Sequence, residues 1–107
     1  MQRIPELINS NRITYAVKLS AGVRDAVSAD GAILLDIDNG SCLSLNAVGA
    51  KIWQMLKQEW QEDRIVVALQ QEFTTVPISQ LRQDYLDFVE ELERNNLVQI
   101  ERYPKAL

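Results

Sequence analysis

The chain is 107 residues long, 47% hydrophobic and 24% charged, with a formal net charge of −4, one Cys and no His. That size and balance fit one folded domain and exclude a disordered or collagen-like chain, while a lone thiol excludes an intramolecular disulfide framework. Without His, and with a single Cys, zinc sites and imidazole catalysis lack their usual groups, so the inventory is a poor one for an enzyme.

Charge is unevenly spread. Residues 1–58 carry a net +1 and residues 59–107 a net −5. The second half therefore opposes nucleic-acid binding, which depends on neutralising phosphates. The longest unbroken apolar run, residues 65–69, is far below the roughly 20 residues that span a bilayer. Polar residues break the first 20 positions every few residues, so no signal-peptide core is read there. The expectation is a cytoplasmic domain that meets neither membrane nor nucleic acid.

In chain order, Ile13, Tyr15, Val17 and Leu19 alternate with Thr14, Ala16 and Lys18, which is the period of a strand. The same stretch could be an extended arm that docks on the domain or on a partner. Residues 23–28 read as a short strand, and Asp30-Gly31 as turn chemistry. Residues 32–37 are apolar and partly β-branched, and Asn39-Gly40 is a strong hairpin signal. Residues 41–45 then alternate, placing Leu43 and Leu45 on one face and Cys42 and Ser44 on the other. Together these predict a three-stranded antiparallel meander over residues 23–45.

Helices follow. Asn46 is a good N-cap for a helix over 47–59, with an apolar stripe of Val48, Ile52, Met55 and Leu56 that Trp53 flanks. Gly49 inside that helix costs about 1 kcal/mol relative to Ala, which points to a close backbone approach. A second helix over 62–73 places Ile65, Val66, Leu69 and Phe73 on one face. Pro77 suits a first helical turn and opens a third helix over 78–95, with Leu81, Tyr85, Phe88, Val89 and Leu92 buried. Asn95-Asn96 can end it, because Asn tolerates the left-handed cap, and residues 97–100 predict a short final strand. The fold class is α+β, a three-stranded antiparallel sheet followed by three helices, resembling a winged helix-turn-helix. Residues 1–22 are read as an N-terminal arm, 23–102 as the domain and 103–107 as a tail.

The reactive groups suggest no catalysis. Cys42 has no His to activate it, so a structural or groove-lining thiol is preferred. Asp36 and Asp38, beside Asn39-Gly40, read as turn carboxylates in water rather than as a metal or acid/base pair. Asp84, Asp87, Glu90, Glu91 and Glu93 make a solvated face, opposed by Arg82 and Arg94, that a basic peptide could use. No catalytic residue, metal ligand or cofactor is assigned. The last strand of the meander has a free side, and neither Pro nor Lys blunts it between Ser41 and Leu45. An external strand could add there. Two other readings stay open: that Ile13 to Leu19 fills the edge, or that two chains pair across it.

The run Asp30-Gly31-Ala32-Ile33-Leu34-Leu35-Asp36, then Asn39-Gly40-Ser41-Cys42-Leu43-Ser44-Leu45-Asn46 and Gly49-Ala50-Lys51-Ile52-Trp53, resembles the PqqD-like family. So does Asp84-Tyr85-Leu86-Asp87-Phe88-Val89-Glu90-Glu91-Leu92 followed by Asn96-Leu97-Val98. The resemblance covers about residues 22–100, and its most specific part joins the third strand to the first helix. It implies a peptide-recognition domain from the biosynthesis of ribosomally made, modified peptides, which binds the leader of a precursor and presents its core to modifying enzymes. The leader is implied to add antiparallel to the third strand, between that strand and the third helix. Carried over here, the site is Ser41, Cys42, Leu43, Ser44 and Leu45 on one side and Leu81, Arg82, Tyr85, Leu86 and Val89 on the other. The length and the segment Ser20-Ala21-Gly22-Val23-Arg24 look most like the discrete recognition proteins of lasso-peptide clusters, with pyrroloquinoline quinone synthesis the second choice. Two departures stand out: Cys42-Leu43 where aromatics are frequent, and Asn96 where glycine is usual.

The expected function is thus non-catalytic leader recognition by β-strand addition. Expected partners are a precursor leader peptide and the pathway's protease, cyclase or radical enzyme, with the chain itself a monomer or homodimer. The alternatives are a winged-helix DNA-binding regulator, which the acidic third helix opposes, and a homodimeric structural subunit.

Overall fold

The computed structural model describes residues 13–104. In order, these form β1 (Ile13–Leu19), β2 (Val23–Ser28), β3 (Gly31–Asp36), β4 (Ser41–Asn46), α1 (Ala47–Lys57), α2 (Glu62–Glu72), α3 (Ile78–Arg94) and β5 (Val98–Pro104). The expected meander is present as an antiparallel sheet in the order β2-β3-β4. Ile13–Leu19 is a strand, but it does not fill the edge of that sheet. It pairs antiparallel with β5, Leu19 opposite Val98 and Ile13 opposite Pro104. Of the expected arm, residues 1–12 lie outside the described residues, as do residues 105–107 of the expected tail.

Local chemistry fixes the meander's register. Gly31 stands opposite Asn46, and a Cβ on it would lie 2.1 Å from the Leu45 carbonyl oxygen, so only glycine lets β3 approach β4 there. The β3–β4 turn closes around Asp36, whose carboxylate accepts from the Asn39 backbone N–H at 3.4 Å and from Asn39 Nδ2 at 2.6 Å. Asp36 is 2% exposed, which corrects the expectation of a water-facing turn carboxylate. The Asn39 side chain takes the place of water, as burial of a carboxylate requires.

Asn46 caps α1 as expected: its Oδ1 accepts from the Gly49 N–H at 2.8 Å. The buried face of α1 is Gly49, Ala50, Ile52, Trp53 and Leu56. The helix is therefore rotated from the expected stripe. Trp53 is 1% exposed and central, whereas Val48 is surface-exposed. An indole buried this deeply needs a partner for its N–H, and Nε1 donates to Asp25 Oδ2 on β2 at 2.8 Å. Lys57 Nζ donates to the same oxygen at 2.7 Å. Helix α3 ends where Asn96 adopts φ 61, the left-handed conformation anticipated for it. The core gathers Leu34 from the sheet, Trp53 and Leu56 from α1, Ile65, Val66 and Leu69 from α2, Leu81, Tyr85, Val89 and Leu92 from α3, and Leu97 and Val98 beyond.

Candidate functional site

No strand lies beyond β4 among the described residues, so one of its sides keeps a row of unpaired backbone groups. The pleat sorts its side chains. Ser41, Leu43 and Leu45 are half-buried on the helix-facing side, while Cys42 and Ser44 are exposed on the other. Leu43 stands opposite Leu34 and Leu45 opposite Ala32, which gives two apolar rows ending at the open edge. Cys42, opposite Leu35, has a free thiol on the outer face of the sheet, away from the helices.

The wall across from β4 is set by α1 and α3. A Cβ on Gly49 would lie 3.2 Å from Phe88 Cε1 and 3.4 Å from Leu45 Cβ, so the Phe88 ring sits directly over Gly49 beside the end of β4. Phe88, expected in the core, is only half-buried. At 100° per residue, Leu86 lies about 160° and Arg82 about 120° around α3 from Phe88. The two belong to the opposite flank. Arg82 donates to Glu62 and, at 3.0 Å, to Asp63 of α2; the hydrogen bond to Glu62 raises its pKa further. Leu81, Tyr85 and Val89 are buried in the core, and Leu86 is half-buried against it. The residues expected along α3 thus lie apart from Phe88, with Leu81, Tyr85 and Val89 turned into the core, Leu86 half-buried against it and Arg82 tied to α2.

Tyr85 borders a second depression, a cleft of about 440 Å³ lined by Val17, Leu19, Leu56, Trp60 and Glu62 among others. Its side chain is 2% exposed, and its hydroxyl has no hydrogen-bond partner among the described residues. Burial, and secondarily the Glu62 charge, push its phenol up to about 12. Trp60, on the cleft wall, carries the Arg64 guanidinium over its ring at 3.7 Å from the centroid.

The exposed side of α3 is acidic. Asp84 accepts from Gln80 at 2.8 Å and Asp87 from Gln83 at 2.9 Å, both within the helix. Asp84 and Glu91 lie about 40° and 60° from Phe88 and border the β4 side. No group of three His, Cys, Asp or Glu residues arranged to hold a metal occurs among the described residues. Nor is any helix there long and apolar enough to cross a membrane.

Residues 31–98, which hold β3, β4 and all three helices, match the model of the family described as coenzyme PQQ synthesis protein D. The chain belongs to the PqqD family. The match takes in both sides of the groove, from Gly31 to the end of α3. Among solved structures the chain is similar to TbiB1 in complex with the TbiA(beta) leader peptide, at 30% identity over 77% of this chain and 94% of that one, with a TM-score of 0.72. It shares its fold with a lasso peptide synthetase B1 complexed with the leader peptide, at 24% identity over 78% of this chain and 98% of that one, with the same TM-score of 0.72. No curated protein matches the chain.

Proposed function

We propose that this chain is a non-catalytic recognition domain that binds the leader region of a ribosomally synthesised precursor peptide and delivers it to modifying enzymes. The observation that carries the reading is the open β4 edge, flanked by the Leu43 and Leu45 rows and faced by Phe88. It gains support from the family, and from a relative at 30% identity that is held in complex with a leader peptide. The leader adds as a strand to Ser41, Cys42, Leu43, Ser44 and Leu45, its backbone supplying ladder bonds and its alternate side chains entering the groove. On the helix side, Phe88 takes the central place, with Leu81 buried in the core. Arg82, Tyr85, Leu86 and Val89 support α3 from behind.

The energetics are feasible. Each apolar anchor buried in the groove contributes about 1.5–3 kcal/mol, while ordering a disordered leader costs about 2–5 kcal/mol. Two anchors roughly offset that cost, so the strand ladder and the acidic flank of α3 supply the surplus. A micromolar Kd corresponds to about −8.2 kcal/mol. The natural partners are a cytoplasmic precursor peptide and a protease or cyclase of lasso-peptide assembly, in keeping with the shared fold of a lasso peptide synthetase B1 held with its leader peptide.

Titration of a fluorescently labelled leader, taken from a candidate precursor sought among the short open reading frames near this chain's gene, tests the reading. Saturable binding by the wild type that is lost in a folded Leu43→Asp variant is expected. A wild type that binds no leader at high micromolar concentration, or that binds duplex DNA at low salt, overturns it.

A further inference from the structure

We infer that Phe88, held at its height by Gly49, is the specificity-determining residue of the β4 groove, fixing the size and apolar character of the one leader side chain that lies beside Leu45. The inference rests on the leader-binding reading above and goes beyond it by saying which position of the peptide is read and by what.

The argument starts from the pleat. A strand added to β4 continues the sheet, so every second side chain falls on the helix-facing side, in line with the Leu34–Leu43 row or the Ala32–Leu45 row. The Leu45 row is where the groove is closed. There the Phe88 ring lies over Gly49, and both Phe88 Cε1 and Leu45 Cβ stand within 3.4 Å of the place a Gly49 Cβ would take. The ring cannot sink deeper, because the α1 backbone already meets it. It remains half-buried, with the rest of its surface available to an occupant.

The β4 side of the subsite is equally fixed. The Leu45 backbone is held against Gly31, where even a methyl group would lie 2.1 Å from the Leu45 carbonyl oxygen. Two glycines therefore set the depth and width of one subsite, at Phe88 and at Leu45. Interiors packed this closely respond to a single methylene. The rim adds a sign: Asp84 and Glu91 flank Phe88 on the surface of α3, so an acidic side chain is repelled there, while the Phe88 ring and Leu45 favour an apolar one between them. Gly49 is a positioning residue in this scheme, acting through the Phe88 ring. Its position inside a helix, at a propensity cost of about 1 kcal/mol relative to Ala, is explained by that contact.

The test uses the full chain and synthetic peptides of the leader that the titration above identifies, each helix-facing position replaced in turn by Ala, Leu, Phe, Trp and Glu. Affinities are ranked by anisotropy for the wild type, Phe88→Ala, Phe88→Leu, Gly49→Ala and the Gly49→Ala/Phe88→Leu double variant, with folding followed by circular dichroism. At one peptide position, Phe88→Ala shifts the preference toward a bulkier side chain by about tenfold, and the ranking elsewhere stays as in the wild type. Gly49→Ala weakens the natural leader by about tenfold, and adding Phe88→Leu restores it to within about twofold; a merely structural role would leave the ranking of side chains at that peptide position unchanged in both variants. If Gly49→Ala does not fold, the two Phe88 variants still decide. A wild type that binds its leader, with Phe88→Ala leaving the ranking unchanged at every position, overturns this inference and leaves the leader-binding reading standing. A wild type that binds no leader overturns both.

Discussion

Replacing Tyr85 by Phe removes one oxygen from a side chain that is 2% exposed and whose hydroxyl meets no hydrogen-bond partner among the described residues. Leaving a buried hydroxyl unpaired costs about 1–3 kcal/mol, while the ring itself stays packed. The variant is therefore expected to be more stable than the wild type by about 1 kcal/mol, which in a domain of this size raises Tm by about 4–8 °C. A pH dependence follows from the same burial. The phenol is pushed up to about 12 in the folded chain, against 10.0 for the free group. A raised folded-state value means that its contribution is intact below pH 10 and lost as pH climbs toward 12, by about 2–3 kcal/mol in all. Tyr85→Phe should lack that alkaline loss. Urea unfolding at pH 7 and across pH 9–12 would read both effects. Leader affinity should remain within about twofold of the wild type, since Tyr85 faces the α2 side of α3 and the substitution leaves Phe88 untouched. A variant destabilised by more than about 1 kcal/mol at pH 7 would mean that the hydroxyl has a partner in the folded chain, and the reasoning would fail.

Gly31→Ala places a methyl group 2.1 Å from the Leu45 carbonyl, so it should cost more than about 2 kcal/mol and abolish leader binding with it, as measured by thermal unfolding and titration. Asp25 has its pKa lowered, first by the Lys57 hydrogen bond and next by that of Trp53. A depressed folded-state value means stability that is present above the unfolded carboxylate value and lost as pH falls below it and through the lower folded-state value. Asp25→Asn should flatten the acid limb of a pH–stability curve, and an unchanged acid limb would count against the pairing. The acidic flank of α3 predicts a leader with basic residues. Raising salt from about 0.1 M to about 1 M, which shortens the Debye length from roughly 10 to 3 Å, should weaken binding several-fold; affinity that does not change would remove charge from the account.

Much of the fold is legible in the sequence because its signals are local. The alternation of Leu43 and Leu45 against Cys42 and Ser44, the Asn46 cap and the left-handed Asn96 all sit within a few residues of the geometry they determine. What is not legible depends on contacts between distant segments. Ile13–Leu19 carries a strand period, but nothing local says that its partner is β5 rather than β4. Trp53 reads as the flank of a stripe until Asp25 on β2 supplies a partner for its indole. The helix side of the site shows the same limit. The 3.6-residue period marks α3 as amphipathic and places Tyr85 and Val89 inward, yet it cannot say which flank faces β4. That is settled by Phe88 meeting Gly49. A trace of the answer was present in the sequence, in a glycine placed inside a helix.

The central claim is that a leader peptide becomes a strand on β4, and amide hydrogen exchange with and without saturating leader tests it most directly. Strand addition predicts slowed exchange at alternate amides from Ser41 to Leu45, with the β2 edge of the same sheet and the β1 edge at the Tyr85 cleft unchanged. Protection confined to β1 or β2, with β4 exchanging as in the free chain, would contradict it.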